Sequence, residues 1–292
     1  MKSTLPTRTR LDAELALVAA QAAGKMLRAE FGRGSKLLFD GGRDIKLAAD
    51  ILAEKAILSR LRNDSPYPVL SEESAAPDDL ITTGRYWVVD PLDGTFNFSR
   101  GVPLCCVSIA LWQADEPVFG VVHDFLAGVS YTGIVGEGAK FEGEPLRVSR
   151  VNDRAQAAIA VGFPTHRDYQ APALARFVQA AAAFKKLRLL GSAALSLAYV
   201  AAGRLEAYCE EDIWLWDVAA GLALVRAAGG DYEMSPGASR LQRNVFASNG
   251  LVGLPEPGPG RAVPLCAQPA VAGDSPTAPR PKQGQGAKAS SR

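Results

Sequence analysis

Apolar positions at Leu11, Leu15, Val18, Ala22, Leu27 and Phe31 recur at the spacing of one helix face, which predicts an amphipathic helix over 11–31. The glycine-rich stretch GRGSKLLFDGGRD (32–44) predicts a mobile loop. A second helix is expected over 44–62. PVLSEES and RYWVVDP read as two short buried strands, the second stopped by Pro91. Residues 104–135 carry three β-rich runs (LCCVSIALW, PVFGVVHDF, GVSYTGIV) that predict an antiparallel meander. From there strand and helix patterns alternate. AAIAVGF (157–163) reads as a strand, 168–184 as a helix and LRLLG as a strand. Ser192 is placed to cap a helix over AALSLAYVAAG. RLEAYCE then reads as a strand and WDVAAGLALVRAAGG as a helix ended by Gly229-Gly230. The sum is a layered α+β protein, antiparallel-rich in its first half and α/β in its second.

The pattern stops after FASNG (246–250). Residues 253–292 hold eight of the 19 prolines and few bulky apolar residues, so a disordered Pro/Gly/Ala-rich tail is expected there. That leaves one domain over 1–252, with subdomains of about 1–150 and 151–252. At 48% apolar residues, disorder of the whole chain is excluded. Lys and Arg number 32 against 31 Asp and Glu, which lacks the basic excess of a dedicated nucleic-acid binder. The tail carries a net charge of +3, leaving −2 on the other 252 residues, a balance that suits recruitment of a cation. No uncharged apolar run reaches the ~20 residues of a membrane span. Asp12 and Glu14 before the first apolar stretch, with Lys25 and Arg28 inside its sequel, argue against an export signal. The four cysteines form no CxxC pair; they read as reduced thiols, buried at Cys105, Cys106 and Cys209, in a cytoplasmic protein.

The chemistry concentrates in WVVDPLDGTFNFSRGVP (87–103). Asp90 emerges from a buried strand, and a tight turn would bring Asp93 beside it. Two such carboxylates repel, so one must hold its proton or a cation must join them. Hard oxygen ligands suit Mg²⁺. Gly94 permits close backbone approach, and the amides of Gly94 and Thr95 could cradle an anion. Alone, the pair reads equally well as a turn closed by Asx hydrogen bonds. Two further acidic sites shift the balance: Glu72 and Glu73 at the end of the PVL strand, and Asp217 at a helix start behind IWLW.

On the strings EES (72–74), WVVDPLDGTFNF (87–98), GSAALSLAYVAAGRLEAYCE (191–210) and WDVAAG (216–221), the chain resembles the inositol monophosphatase family over residues 10–252. These are Mg²⁺-dependent, lithium-sensitive sugar-phosphate phosphatases. The resemblance implies an αβαβα sandwich and a homodimer. It implies that Glu72, Asp90 and the Leu92 carbonyl hold one Mg²⁺, and that Asp90, Asp93 and Asp217 hold a second. The amides of Gly94 and Thr95 would bind phosphate oxygens, while Gly191, Ser192, Ala193 and Glu210 would hold the alcohol, with Asp93 and Asp217 also facing the substrate. Thr95 and Glu72 would orient the attacking water, with Asp50 behind Thr95. Two metals could activate water on one side of an in-line displacement and stabilise the departing alkoxide on the other. No protein nucleophile is then needed, in keeping with the lack of a GxSxG elbow. The family's DxVTxxD pattern reads DIKLAAD (44–50) here. Leu47 in place of Thr bears on the hydrogen bonding around Asp50 and on a weak third metal.

The function implied is Mg²⁺-dependent hydrolysis of a small polyol phosphate such as myo-inositol 1-phosphate. The NF of DGTFNF and Glu210 favour it over fructose 1,6-bisphosphate, histidinol phosphate or a 3′-phosphorylated nucleotide. A rival of another class is a non-catalytic regulatory or binding protein on the same scaffold, such as a transcription- or RNA-associated factor. The full set Glu72, Asp90, Asp93, Thr95 and Asp217 favours catalysis.

Overall fold

A computed structural model describes residues 7–34, 36–40, 45–74, 84–162, 178 and 181–253. Helix α1 (Thr7–Glu30) forms, but it is rotated from the face that bulky residues suggest. Leu11 and Val18 stand about half exposed, at 54% and 48%, while Ala16, Ala19, Ala20, Ala23 and Leu27 are buried. The buried positions keep helical spacing. Alanine has so little side chain that the helix axis can lie close to its neighbours, and this close approach outweighs the larger apolar area of Leu11 and Val18.

The expected glycine-rich loop contains a short antiparallel hairpin, β1 (Leu37–Asp40) with β2 (Ile45–Leu47). Helix α2 (Ala48–Asp64) follows, starting later than expected because residues 45–47 pair as a strand. A seven-stranded sheet comes next, in strand order β3-β4-β5-β6-β7-β8-β9. Its members are β3 (Val69–Ser71), β4 (Arg85–Asp93), β5 (Cys106–Gln113), β6 (Glu116–Asp124), β7 (Val129–Ile134), β8 (Gly138–Phe141) and β9 (Glu144–Leu146), with the short helix α3 (Thr95–Ser99) after β4. Only β3 runs parallel to its neighbour. Pro91 does not end β4. The strand continues to Asp93 through an irregular register between Asp90 and Asp93, a place where a missing N–H is tolerated.

The second half holds β10 (Ala158–Val161), β11 (Lys186–Arg188), α4 (Ala193–Ala201), β12 (Ala207–Trp214), α5 (Leu215–Ala227), β13 (Asp231–Pro236) and β14 (Gln242–Ser248). They form a five-stranded mixed sheet, β11-β10-β12-β14-β13. β12 runs past the expected end at Glu210 to Trp214. Ser192 caps α4 as expected, its hydroxyl accepting from the Leu195 amide. The helix expected over 168–184 falls largely outside the described residues, and the tail from 254 onward lies wholly outside them.

Both faces of the large sheet are buried, which is why β4 and β5 read as unbroken apolar runs. Trp87, Val89, Ile109, Leu111 and Val121 face α1 and α2. Tyr86, Val88, Ala110, Trp112 and Val122 face α4 and α5, which in turn pack on Ala160, Tyr208, Val245 and Ala247 of the second sheet. Among the described residues the layers thus run helices, sheet, helices, sheet, a layered α+β architecture as expected; the outermost helical layer of the αβαβα sandwich is not among them. Ile159, Val161, Cys209 and Phe246 form the far face of the second sheet. Cys105 and Cys106 are free and buried, as expected. Among the described residues no helix is long and apolar enough to cross a membrane.

The middle helical layer sits tightly on the large sheet. A Cβ on Gly120 of β6 would lie 2.3 Å from the Ala220 carbonyl oxygen of α5. Gly120→Ala should therefore destabilise by ~1–3 kcal/mol through overpacking. Gly84→Ala, where a Cβ meets open space, should leave the thermal midpoint unchanged. Melting curves of the two variants test this.

Candidate metal centre

Three acidic stretches far apart in sequence meet where β3 and β4 end and α5 begins. The parallel β3–β4 pairing sets Ser71 beside Val89, and the Glu72 amide donates to the Val89 carbonyl at 3.2 Å. Glu72 is thereby placed next to Asp90. Asp217 lies in the first turn of α5, which its carboxylate favours through the helix dipole. Ligand-capable oxygens of Asp90, Asp93 and Asp217 all lie within 4.8 Å of one another. Asp90 turns one oxygen, Oδ1, to the Leu92 amide at 2.9 Å.

Asp93 is gripped from the second half of the chain. Its Oδ2 accepts from the Ser192 hydroxyl at 2.5 Å and the Ala194 amide at 2.8 Å, with the Cys106 thiol at 3.6 Å. The Ser192 hydroxyl, expected at the alcohol subsite, is turned to Asp93. Beside it, the Asn97 side-chain amide donates to the carbonyls of Leu104 and Leu190, each at 2.8 Å, and of Gly191 at 3.2 Å. The same small group thus ties α3 to the loop before α4. Gly94 sits at φ +88° as the residue before α3, and a Cβ there would stand 2.7 Å from the Leu104 oxygen. Thr95 donates its hydroxyl to the Leu92 carbonyl at 2.9 Å. The first-turn amides of α3 have no acceptor within the helix, which leaves them available to an anion.

Electrostatics sets the character of this cluster. Burial pushes the Asp90 carboxyl well above the usual carboxylate range, helped by Glu72, Asp93 and Asp217. Asp217 is pushed well up by burial and by Glu72, Asp93 and Glu210. Asp93 is raised by burial too, opposed by its donors Ser192, Ala194, Ala193 and Cys106. Glu72 rises to about 8, first from burial, then from Glu73 and Asp50. Its neighbour Glu73 pairs with Lys46 at 3.0 Å. Asp50 Oδ2 accepts from the Leu47 amide at 2.6 Å, so the backbone at Leu47 reaches Asp50 although its side chain is buried apolar. Asp44 and the 41–44 segment, where a third metal would bear, lie outside the described residues.

Glu210 lies at the rim of the cluster, 8% exposed, and accepts from the Tyr208 hydroxyl at 2.7 Å. Trp214 and Trp216 stack at 4.9 Å between ring centroids and 7° between planes, on the chain between Glu210 and Asp217. Tyr208 and Cys106 do not stand out in the sequence as site residues, and Asn97 does so only as part of DGTFNF. Strand alternation points to Tyr208, which it puts on the face of Glu210; the partners of Asn97 at Leu190 and Gly191 are too distant in sequence to be guessed.

An all-oxygen set of crowded carboxylates with too few cations fits Mg²⁺ and does not suit a soft metal. The Leu92 carbonyl already accepts from Thr95 and keeps a second lone pair. Because these acids are raised in the fold, their ionisation weakens the metal-free protein as pH climbs from the unfolded values near 4 toward about 8. Added Mg²⁺ should raise the melting temperature most near pH 8 and progressively less toward pH 5, where protons hold the same oxygens. At free Mg²⁺ a hundredfold above Kd the gain is about 2.7 kcal/mol. Asp217→Asn should melt no lower than the parent without metal, and should lose the Mg²⁺-dependent gain; a full gain in that variant contradicts the metal assignment. Differential scanning calorimetry across pH checks both.

Comparison with known proteins agrees with this geometry. The chain matches the profile of the Inositol monophosphatase family over residues 10–258. It is 38% identical over 240 residues to an inositol-1-monophosphatase of Mesorhizobium japonicum, covering 80% of this chain and 90% of that one. It is 36% identical over 223 residues to the Nus factor SuhB of Pasteurella multocida, covering 74% and 82%. Among solved structures, the extragenic suppressor protein suhB of Bartonella henselae superposes with a TM-score of 0.73 at 34% identity, covering 82% of this chain and 93% of that one. The inositol monophosphatase of Thermotoga maritima gives 0.70 at 31% identity, covering 83% and 92%. The expected kinship is therefore correct: the chain belongs to the inositol monophosphatase family and is a phosphoric monoester hydrolase.

Proposed function

We propose that the chain hydrolyses a small polyol phosphate, with myo-inositol 1-phosphate as the preferred substrate, at the carboxylate cluster. The observation that carries this reading is the meeting of Asp90, Asp93 and Asp217 within 4.8 Å beside the first turn of α3. Glu72, Asp90 and the Leu92 carbonyl would hold one Mg²⁺, and Asp90, Asp93 and Asp217 would hold another. Bound there, Mg²⁺ supplies Lewis acidity that acidifies water and offsets charge on the phosphate and leaving oxygens. The amides of Gly94 and Thr95 grip phosphate oxygens. Thr95 and Glu72 orient the water that attacks phosphorus, and Asp50 sets the local field around Glu72. Glu210, with the Gly191–Ala193 backbone, receives the alcohol. Ser192 contributes by holding Asp93 in place.

A phosphate-release panel of myo-inositol 1-phosphate, fructose 1,6-bisphosphate, histidinol phosphate and a 3′-phosphorylated nucleotide tests the substrate. The inositol ester should give the highest kcat/KM; a better rival replaces it, and no release from any of them removes the reading. Asp90→Asn should lower kcat/KM by more than about 100-fold, beyond the cost of disturbing a ligand's outer partners. Lithium inhibition and a homodimer belong to the same reading, as do a cytoplasmic location and a tail (253–292) dispensable for turnover.

A second reading rests on relatives in Pasteurella multocida and Xylella fastidiosa that carry the name Nus factor SuhB. On this reading the chain also takes part in transcription. Asp93→Asn separates the two, since it removes hydrolysis while leaving an outer binding surface intact.

A further inference from the structure

The hairpin of β1 and β2 reaches the metal centre through Lys46. Leu47, at the end of β2, is 1% exposed in the core that α1 and α2 form with the large sheet, and its amide donates to Asp50. Neighbouring residues of a strand point to opposite faces, so burial of Leu47 turns Lys46 the other way. β2 also lies against α3, which keeps the hairpin beside the cluster. There the Lys46 ammonium meets Glu73 Oε2 at 3.0 Å. The Glu73 side chain is only 3% exposed, against 35% for Lys46. A carboxylate buried to that degree needs a counter-charge. Glu73 adjoins Glu72 and repels it, while the Lys46 charge is felt at Glu72 with the opposite sign. The ammonium is not confined to Glu73, but this pair joins it to the cluster. Lys46 thus brings a positive charge to the solvent side of an assembly of carboxylates, and the hydrolytic reading gives it no role.

We propose that Lys46 is a built-in counter-cation of the metal centre: its ammonium neutralises Glu73, and so keeps the Glu72–Glu73 pair from taking a further divalent ion and leaves Glu72 to the ion it shares with Asp90. This rests on the reading above that Glu72 and Asp90 hold Mg²⁺. A lysine ammonium is a compact point charge on a flexible stem, able to follow the Glu73 carboxylate. Being part of the chain, it cannot dissociate as a metal ion does. Removing it leaves one buried carboxylate uncompensated beside another, and a hard divalent cation is the solute that suits the gap. Lys46 touches neither the phosphate cradle nor the alcohol side; it is a positioning residue that acts through Glu73.

The test measures Mg²⁺ uptake by the full chain with isothermal titration calorimetry at fixed pH and ionic strength, beside melting curves of the metal-free proteins. Lys46→Met keeps the apolar stem and removes the charge. It should take up one Mg²⁺ per chain more than the parent. Lys46→Arg should keep the parent's number, because a cation is still supplied. Lys46→Met combined with Glu73→Gln removes both charges and should return to the parent's number. A merely structural role for Lys46 lowers the melting temperature of Lys46→Met without adding an ion, and that result overturns the proposal. An added ion that persists in the double variant overturns it too. Should Lys46→Met fail to fold without metal, Glu73→Gln alone gives a second measurement. It leaves the ammonium unbalanced beside Glu72, so Mg²⁺ affinity should fall by about tenfold, the lower end of what outer partners of a metal site contribute; unchanged affinity overturns the proposal. If the parent takes up no Mg²⁺, the metal reading fails and the proposal with it. If the parent binds Mg²⁺ and Lys46→Met matches it, the proposal alone fails.

Discussion

Mutual repulsion among buried carboxylates is the constraint around which this molecule is organised. Asp90, Asp93 and Asp217 are brought within a few ångström in surroundings that favour none of their charges. Such a cluster is a cost to the fold, and it persists only because the surrounding elements over-determine it. The β3–β4 pairing, the irregularity after Asp90, the cap of α4 and the first turn of α5 each hold one acidic group. A divalent cation turns the same arrangement from a liability into a binding site, because it relieves every pairwise repulsion at once.

The two sheets are coupled through the middle helices and again at the site itself. Asp93 belongs to the first half of the chain, yet its donors Ser192 and Ala194 belong to the second. Asn97 repeats the arrangement one turn later, with carbonyls from both halves around a single amide group. Small residues where α5 meets β6 make this geometry reachable. With glycine at position 120, the helix backbone can sit directly on the sheet, which fixes where Asp217 begins.

Much of the fold was legible because its rules are local. The β-rich runs of the meander, the serine cap of α4 and the Gly229-Gly230 stop all appear where residue types put them. The exceptions share a cause. In α1 the buried face is marked by alanines, whose weak apolar signal is overruled by the room they leave. Pro91 has the chemistry of a strand terminator, but the register shift absorbs its missing donor. LLF in the glycine-rich stretch was too short to declare a hairpin. At the site, the acidic residues stood out because four carboxylates at the ends of buried elements would repel one another without a cation between them. The groups that orient them did not: Ser192 and Asp93 are 99 positions apart, and only the folded chain makes them neighbours.

The hold of Ser192 and Ala194 on Asp93 has a consequence for the timing of maturation. During synthesis the seven-stranded sheet can be complete once about the first half of the chain has emerged, since domains tend to form from the N-terminus onward. At that stage Asp90 and Asp93 exist, but neither Ser192 and Ala194, which grip Asp93, nor Asp217 has left the ribosome. The nascent half-molecule therefore has an incomplete set of oxygens and weak hold on any ion. A cation site that draws on both halves cannot be complete until nearly the whole catalytic body is in place.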